Sequence, residues 1–332
     1  MLRSGELARR AVAVLGWRCP FPMARAAHDP VVLIYHGISS RADSCGMNAR
    51  RFEEQLVFLK EHFAIVSPKQ FAGTTSEKHR TRVMLTFDDG FRNNAEVVAP
   101  ILRRHQVPAV FFVSSRHTTP GKYLWFSYLR ALKSYFQGNG FMLNGEFMDM
   151  SGSRRRSTMA RIETMLLSLR PHPAKMYEVM EEELPSLSDF ASHRELDDTC
   201  SGMTVEQLQE LAQDPLFTIG AHTIDHPFLT KCEETEAARQ MRVNKDWLEQ
   251  VCKTRCDMVA YPLGDYNHAV LTQARQCGFR YGYSVERKLS VDAALEFARV
   301  GIYYPSLNEL GCKVRWSKLV VRLHQVKAAI RA

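Results

Sequence analysis

Long hydrophobic runs are missing from this chain. No stretch approaches the roughly 18 consecutive apolar residues that a spanning helix requires, so no transmembrane helix is expected. At the N-terminus Arg3, Arg9 and Arg10 precede an apolar stretch, residues 11–16, that is too brief for the core of an export signal, and no cleaved signal is expected. Organised cysteine spacing is lacking too. The eight cysteines are scattered, and the close pair Cys252 and Cys256 matches neither a zinc ribbon nor a redox pair. Scattered thiols suit a reducing compartment, so the expectation is a cytoplasmic protein whose membrane contact, if any, is peripheral and at the inner face of the cytoplasmic membrane. Internal repeats, low-complexity tracts and stripes of interleaved basic and aromatic residues are all absent, and nucleic acid is not an expected partner.

What is present is the composition of a folded globular protein: 332 residues, 45% of them apolar and 24% charged. The net charge of +8 suits an anionic partner such as an acidic membrane surface, a phosphorylated glycan or, on charge alone, nucleic acid.

The apolar pattern alternates between two periods. Residues 31–36 form a short run that reads as a strand buried on both faces, and residues 48–63 carry Phe52, Leu56, Leu59 and Phe63 at helical spacing. Strand-like runs at 83–87 and 107–113 flank a helical stretch at 93–105. The rhythm stops at residues 116–203, a Pro- and Gly-punctuated region read as an insertion with helices near 125–135, 159–169 and 176–183. It resumes with a helix whose Thr204 and Gln207 fit a capping box, a strand at 217–220, a helix at 233–251, a strand at 258–261, a helix at 268–277, and strands near 280–283 and 299–301. Alternation of this kind predicts an α/β fold, a (β/α) barrel of about seven strands with a helical insertion. Residues 1–30 then form an N-terminal extension, 31–305 the main domain, and 306–332 a basic amphipathic C-terminal helix. Its apolar stripe is Leu319, Val320, Leu323, Val326 and Ile330, and its charge comes from Lys313, Arg315, Lys318, Arg322, Lys327 and Arg331.

Three segments fall at the C-terminal ends of expected strands, where parallel barrels place their active sites. In Thr86-Phe87-Asp88-Asp89-Gly90 a strand delivers two adjacent carboxylates that point different ways, so that one can bind a cation while its neighbour takes a proton. In His222-Thr223-Ile224-Asp225-His226 the i, i+4 spacing brings two imidazoles together across one expected helical turn; with one carboxylate they make a His2Asp site. Ala260-Tyr261-Pro262-Leu263-Gly264 reads equally well as a plain strand-ending turn or as a groove wall whose backbone amides can donate to an oxyanion.

At these segments the chain resembles the polysaccharide deacetylases of the NodB-homology type, carbohydrate esterase family 4, over roughly residues 31–305. Thr-Phe-Asp-Asp-Gly resembles that family's first motif, His-Thr-x-x-His its second, and Ala-Tyr-Pro-Leu-Gly a variant of its third. Tyr35-His36-Gly37 and Leu124-Trp125-Phe126 are similar to features of the subgroup that acts on exopolysaccharide and poly-N-acetylglucosamine. The resemblance implies a distorted (β/α) barrel that hydrolyses the acyl group of an amino sugar. It implies Asp88 as general base and Asp89, His222 and His226 as ligands of a divalent metal, zinc first, with cobalt, nickel or manganese as substitutes. Substrate contacts are expected from Tyr35, Tyr261, Pro262 and Leu263.

Two departures shape the expectation. Many members begin the third motif with an arginine that orients the base; here Ala260 stands there, and Arg299 is the candidate to hold Asp88. The family's late Leu-x-His segment, which supplies a general-acid histidine, has no counterpart near residues 299–310, where Tyr303, Tyr304 and Pro305 stand; His36 is the candidate acid. The implied substrate is a polysaccharide, oligosaccharide or lipid-linked sugar. Alternatives are an O-deacetylase or deformylase on a lipid-linked sugar, and a catalytically silent carbohydrate-binding protein of the same fold.

Overall fold

The computed structural model describes residues 30–41, 47–73, 80–286, 289, 291–303 and 306–315. The elements relevant to the site run in the order β1 (Val31–Tyr35), α1 (Ala49–His62), β2 (Ala64–Ile65), α2 (Pro68–Ala72), β3 (Arg82–Phe87), α3 (Ala99–His105) and β4 (Ala109–Val113). An insertion follows, with α4 (Trp125–Tyr135), β5 (Gly140–Leu143), β6 (Glu146–Asp149), α5 (Arg154–Ser168), α6 (Pro173–Glu182) and α7 (His193–Thr199). The chain then continues through α8 (Val205–Gln213), β7 (Phe217–Ala221), α9 (Glu234–Cys252), β8 (Met258–Ala260), α10 (His268–Gln276), β9 (Tyr281–Ser284), β10 (Phe297–Gly301) and α11 (Leu307–Arg315).

Seven parallel strands close on themselves in the order β1-β10-β9-β8-β7-β4-β3, and the ring is sealed where Val31 to Tyr35 run in register with Val83 to Phe87. Two-residue β2 adds to β3 beside Arg82 and Val83. The side-chain period of two sorts the strands into two faces. Leu33, Tyr35, Leu85, Phe87, Phe111, Ile219 and Tyr261 pack outward in one cluster with helix residues such as Phe52 and Leu56 of α1. Val32, Met84, Val110, Phe112, Met258 and Tyr283 form a second cluster of the opposite parity, joined by Phe71 of α2. Parity therefore decides which side chains reach the barrel lumen, and Thr86 and Asp88 continue the lumen series begun by Met84.

The insertion has its own apolar cluster, in which Leu129 and Leu132 of α4, Ile162 and Leu166 of α5 and Met176 and Met180 of α6 meet. It also holds an antiparallel hairpin, β5 with β6, turning at Asn144 and Gly145. Its two ends meet over β3: Arg92 N–H donates to Ser201 O, Met203 N–H donates to Gly90 O, and Gly202 lies against the His117 backbone, where a Cβ atom would sit 1.6 Å from the carbonyl oxygen. α8 starts with the expected capping box of Thr204 and Gln207. The apolar and basic stripe assigned to residues 318–331 lies outside the described residues, as do residues 1–29. Among the described residues, no helix is long and apolar enough to cross a membrane.

Candidate metal centre

β3 ends by handing Asp88 N–H to the carbonyl of Tyr35, and the chain then turns sharply through Asp89 and Gly90, at φ 75° and 76°. A Cβ at Gly90 would sit 2.9 Å from Val113 Cγ1 of β4, so both conformation and space call for glycine. The turn aims Asp88 and Asp89 apart, as two roles require, though by a left-handed Asp89 rather than by an extended strand.

The two histidines meet by a different route from the helical turn expected of i, i+4 spacing. Residues 222–226 form an irregular loop after β7 in which Thr223 and His226 are left-handed, at φ 66° and 52°. Local hydrogen bonds outweigh helix formation here: Thr223 Oγ1 accepts from His226 N–H at 3.1 Å, and α9 supplies several further partners. Gln240 Oε1 accepts from the amides of Ile224 and Asp225 at 3.1 and 2.9 Å, Gln240 Nε2 donates to Asp225 Oδ2 at 2.6 Å, and Asn244 Oδ1 accepts from His222 N–H at 3.1 Å. Tyr177 of the insertion donates its hydroxyl to Asp225 O at 2.7 Å. Sequence motifs gave no notice of Gln240, Asn244 or Tyr177, although buried polar residues four apart on the apolar side of α9 are the signal that marks the first two.

Asp89 Oδ1 lies 3.4 Å from His222 Nε2 and 3.5 Å from His226 Nε2, and one ligand atom from each of the three falls within 4.8 Å of the others. Metal–ligand bonds of about 2 Å set neighbouring ligand atoms roughly 3 to 3.4 Å apart, so the spacing leaves room for one divalent ion among the three atoms. His222 Nδ1 faces Ala260 O at 2.8 Å, which fixes the proton there and turns the Nε2 lone pair toward Asp89. Asp89, only 1% exposed, has no hydrogen-bond partner for Oδ1. A buried carboxylate oxygen facing an imidazole lone pair is unfavourable until a cation lies between them. The residues present therefore fit a divalent ion with three protein ligands.

Electrostatics divide the groups. Burial pushes the Asp89 carboxyl up, but the adjoining His222 imidazole and the charges of His36 and His226 outweigh it and hold the group below the usual carboxylate range. For His226 burial dominates and takes the imidazole down to about 4, whereas at His222 the two carboxylates overcome burial and raise it.

Asp88 occupies the lumen beside this triad and is gripped by Arg299 from β10: Nη1 donates to Oδ1 at 2.7 Å and Nη2 to Oδ2 at 2.8 Å. Nη1 also reaches Thr86 Oγ1 at 3.2 Å, and the guanidinium carbon stands 5.2 Å from the centre of the Phe112 ring. Burial acts to raise the Asp88 carboxyl, yet the Arg299 charge, His222 and the Arg299 hydrogen bonds bring it below its ordinary value. His36, the residue after Tyr35 and hence of lumen parity, is close enough for its charge to act on both Asp88 and Asp89.

Placement separates the four expected substrate contacts. Tyr35 and Tyr261 are corrected by parity: both rings lie in the outward cluster, fully buried, with hydroxyls donated to Gln55 Oε1 and Leu295 O. Neither ring can meet a sugar. Pro262 is buried in the turn after β8, while Leu263 stands half out of the protein in the left-handed conformation, φ 57°. From the insertion, the Phe126 ring packs 4.9 Å from that of His226, and the His117 ring lies 3.0 Å from Asp89 O and 2.7 Å from Cys200 O, so the insertion touches the metal ligands directly.

The family model described as polysaccharide deacetylase matches residues 75–135 and 171–282, a little over half of the 332 residues. A sequence relative is YxkH of Bacillus subtilis (strain 168), classed with the polysaccharide deacetylases, at 20% identity over 259 residues, or 77% of this chain. The chain spans 64% of that protein's length. Similar solved structures include IcaB from Ammonifex degensii (TM-score 0.55, 18% identity, 86% of this chain and 97% of that one). Another is the Streptococcus pyogenes deacetylase PplD in complex with acetate (TM-score 0.53, 18% identity, 85% of this chain and 95% of that one). At such identities these likenesses establish the fold.

Proposed function

Since the chain belongs to the polysaccharide deacetylase family, we propose that it is a divalent-metal hydrolase that removes an acyl group, acetyl foremost, from the nitrogen of an amino sugar in a glycan. The observation that carries the reading is the orphaned Asp89 Oδ1 facing two imidazole nitrogens, with a second, arginine-held carboxylate beside them.

Asp89, His222 and His226 would hold the ion, for which zinc is the first candidate. When bound, a divalent ion supplies Lewis acidity toward the amide carbonyl and makes a water molecule acidic enough to lose its proton near neutrality. Asp88 takes that proton. Its depressed basicity keeps it ionised at neutral pH, and Arg299 fixes the orientation in which it accepts. Negative charge developing on the carbonyl oxygen needs a donor from the third-motif turn. The Tyr261 amide is engaged by Tyr283 O, Pro262 has none, and the Gly264 amide goes to Tyr261 O, which leaves Leu263 N–H as the oxyanion donor. His36, from the other side of the lumen, protonates the departing nitrogen.

The test is release of acetate and appearance of free amine from N-acetylated chitooligosaccharides, measured on zinc-loaded protein, after chelation, and after zinc is restored. Activity that follows the metal is expected. No release from any N-acylated sugar by metal-replete protein, or release indifferent to chelation, defeats the reading.

A further inference from the structure

β10 ends at Gly301, and two residues later Tyr303 folds back across the strand end. A Cβ at position 301 would lie 2.4 to 2.6 Å from Cε2, Cζ and Oη of that ring, so glycine is what lets the ring lie flat there. One side of the ring stacks on His36, with centroids 5.8 Å apart and 27° between planes. Lys313 of α11 approaches it, its Nζ 5.8 Å from the ring centre and anchored by donation to Gly301 O at 2.8 Å. Even so, 56% of Tyr303 is exposed, an unusual state for a large ring fixed by neighbours on a barrel rim. Burial of part of the side chain, helped by the charge of Asp88 and opposed by that of Arg299, pushes its hydroxyl above the ordinary value and keeps it protonated.

An aromatic face that is held in place, left open and set beside a catalytic centre suits a ligand with one apolar face and polar edges. Pyranose rings have that form: axial C–H groups on the faces, hydroxyls around the rim. A pre-positioned ring also loses little freedom on binding. We propose that Tyr303 is a platform on which a pyranose ring of the substrate rests, the exposed side of its ring turned to the sugar and the other side backed by His36. The proposal rests on the reading given under Proposed function and adds to it the residue that selects a pyranose. Tyr303 thereby acts through its ring face, not through its hydroxyl.

The experiment compares zinc-loaded parent, Tyr303→Ala and Tyr303→Phe, each checked for zinc content and melting temperature. The readouts are KM and kcat on N-acetylated chitooligosaccharide, and binding of the fully deacetylated oligomer by calorimetry. The platform predicts that Ala raises KM and weakens oligomer binding about tenfold or more, with a smaller change in kcat, while Phe stays within about twofold of the parent. Unchanged KM and binding in Ala, or a Phe variant as impaired as Ala, overturns it. A parent that binds the oligomer through Tyr303 but releases no acetate supports the platform and defeats the deacetylase reading; a parent that neither binds nor hydrolyses defeats both.

Discussion

Arg299 and Asp88, 211 positions apart in sequence, meet inside the barrel as a doubly hydrogen-bonded ion pair with both partners almost wholly buried. The pair compensates two charges that burial alone would make costly, and it points the carboxylate at the space above the metal ligands. It also explains how the third motif can begin with Ala260: the guanidinium arrives from β10 instead.

Arg299→Lys is expected to lower kcat by about 10- to 100-fold with zinc content unchanged, because an ammonium cannot match both carboxylate oxygens. Arg299→Met leaves Asp88 buried without its counter-charge, which costs about 3–5 kcal/mol of stability. In that variant the acid limb of the kcat/KM profile moves to higher pH, since the largest influence lowering the Asp88 carboxyl has gone. An acid limb that stays in place shows that Asp88 is not the base. Denaturant titration and pH-rate profiles supply the two measurements.

Asp88→Asn and Asp89→Asn separate the two carboxylates. The first should keep zinc and lose about 100- to 10,000-fold in kcat, the range of general-base catalysis. The second should lose zinc, as should His222→Gln. Elemental analysis after gel filtration, run beside acetate release, distinguishes them; zinc retained by Asp89→Asn contradicts the ligand assignment.

The buried His226 makes metal-free protein acid-sensitive. Its folded-state pKa, about 4, lies below the ordinary 6.5, so between these values the unfolded chain binds a proton that the folded chain does not. Stability therefore falls as pH drops from 6.5 to 4, by up to about 3 kcal/mol at 1.36 kcal/mol per unit. His222, raised, has the opposite sign and acts above 6.5, where its contribution is lost as pH rises through its folded value. Thermal melts of chelated parent and of His226→Gln should diverge between pH 4 and 6.5, with the flatter dependence in the glutamine variant. Parallel curves reject the assignment.

Much of the site was legible because its signals are local. Period-two apolar runs ending in Asp88-Asp89-Gly90 and in His222 placed the two ligand-bearing segments at strand ends, and the strands from Val31 and Phe217 start where the sequence places them. Arg299 was legible as the candidate to hold Asp88, at the end of a late strand. The same parity, applied to Tyr35 and Tyr261, would have sent both rings outward with Leu33 and Val259. The β5–β6 hairpin stands on Asn144-Gly145, at φ 50° and 76°, a strong turn signal carried by strands too short for periodicity to register. Loop geometry at residues 222–226 was not legible at all, because Gln240 and Asn244 impose it from a helix that comes later in the chain.

The seam where Gly202 presses on the His117 carbonyl, with the His117 ring resting on Asp89 O, joins the insertion to the Asp89 turn beside the Met203 N–H bond to Gly90 O. Protein engineers seeking to graft a different cap onto this barrel inherit that joint: a donor segment must bring its own glycine and imidazole in register. Otherwise exchanging the roof displaces the floor on which the cation stands.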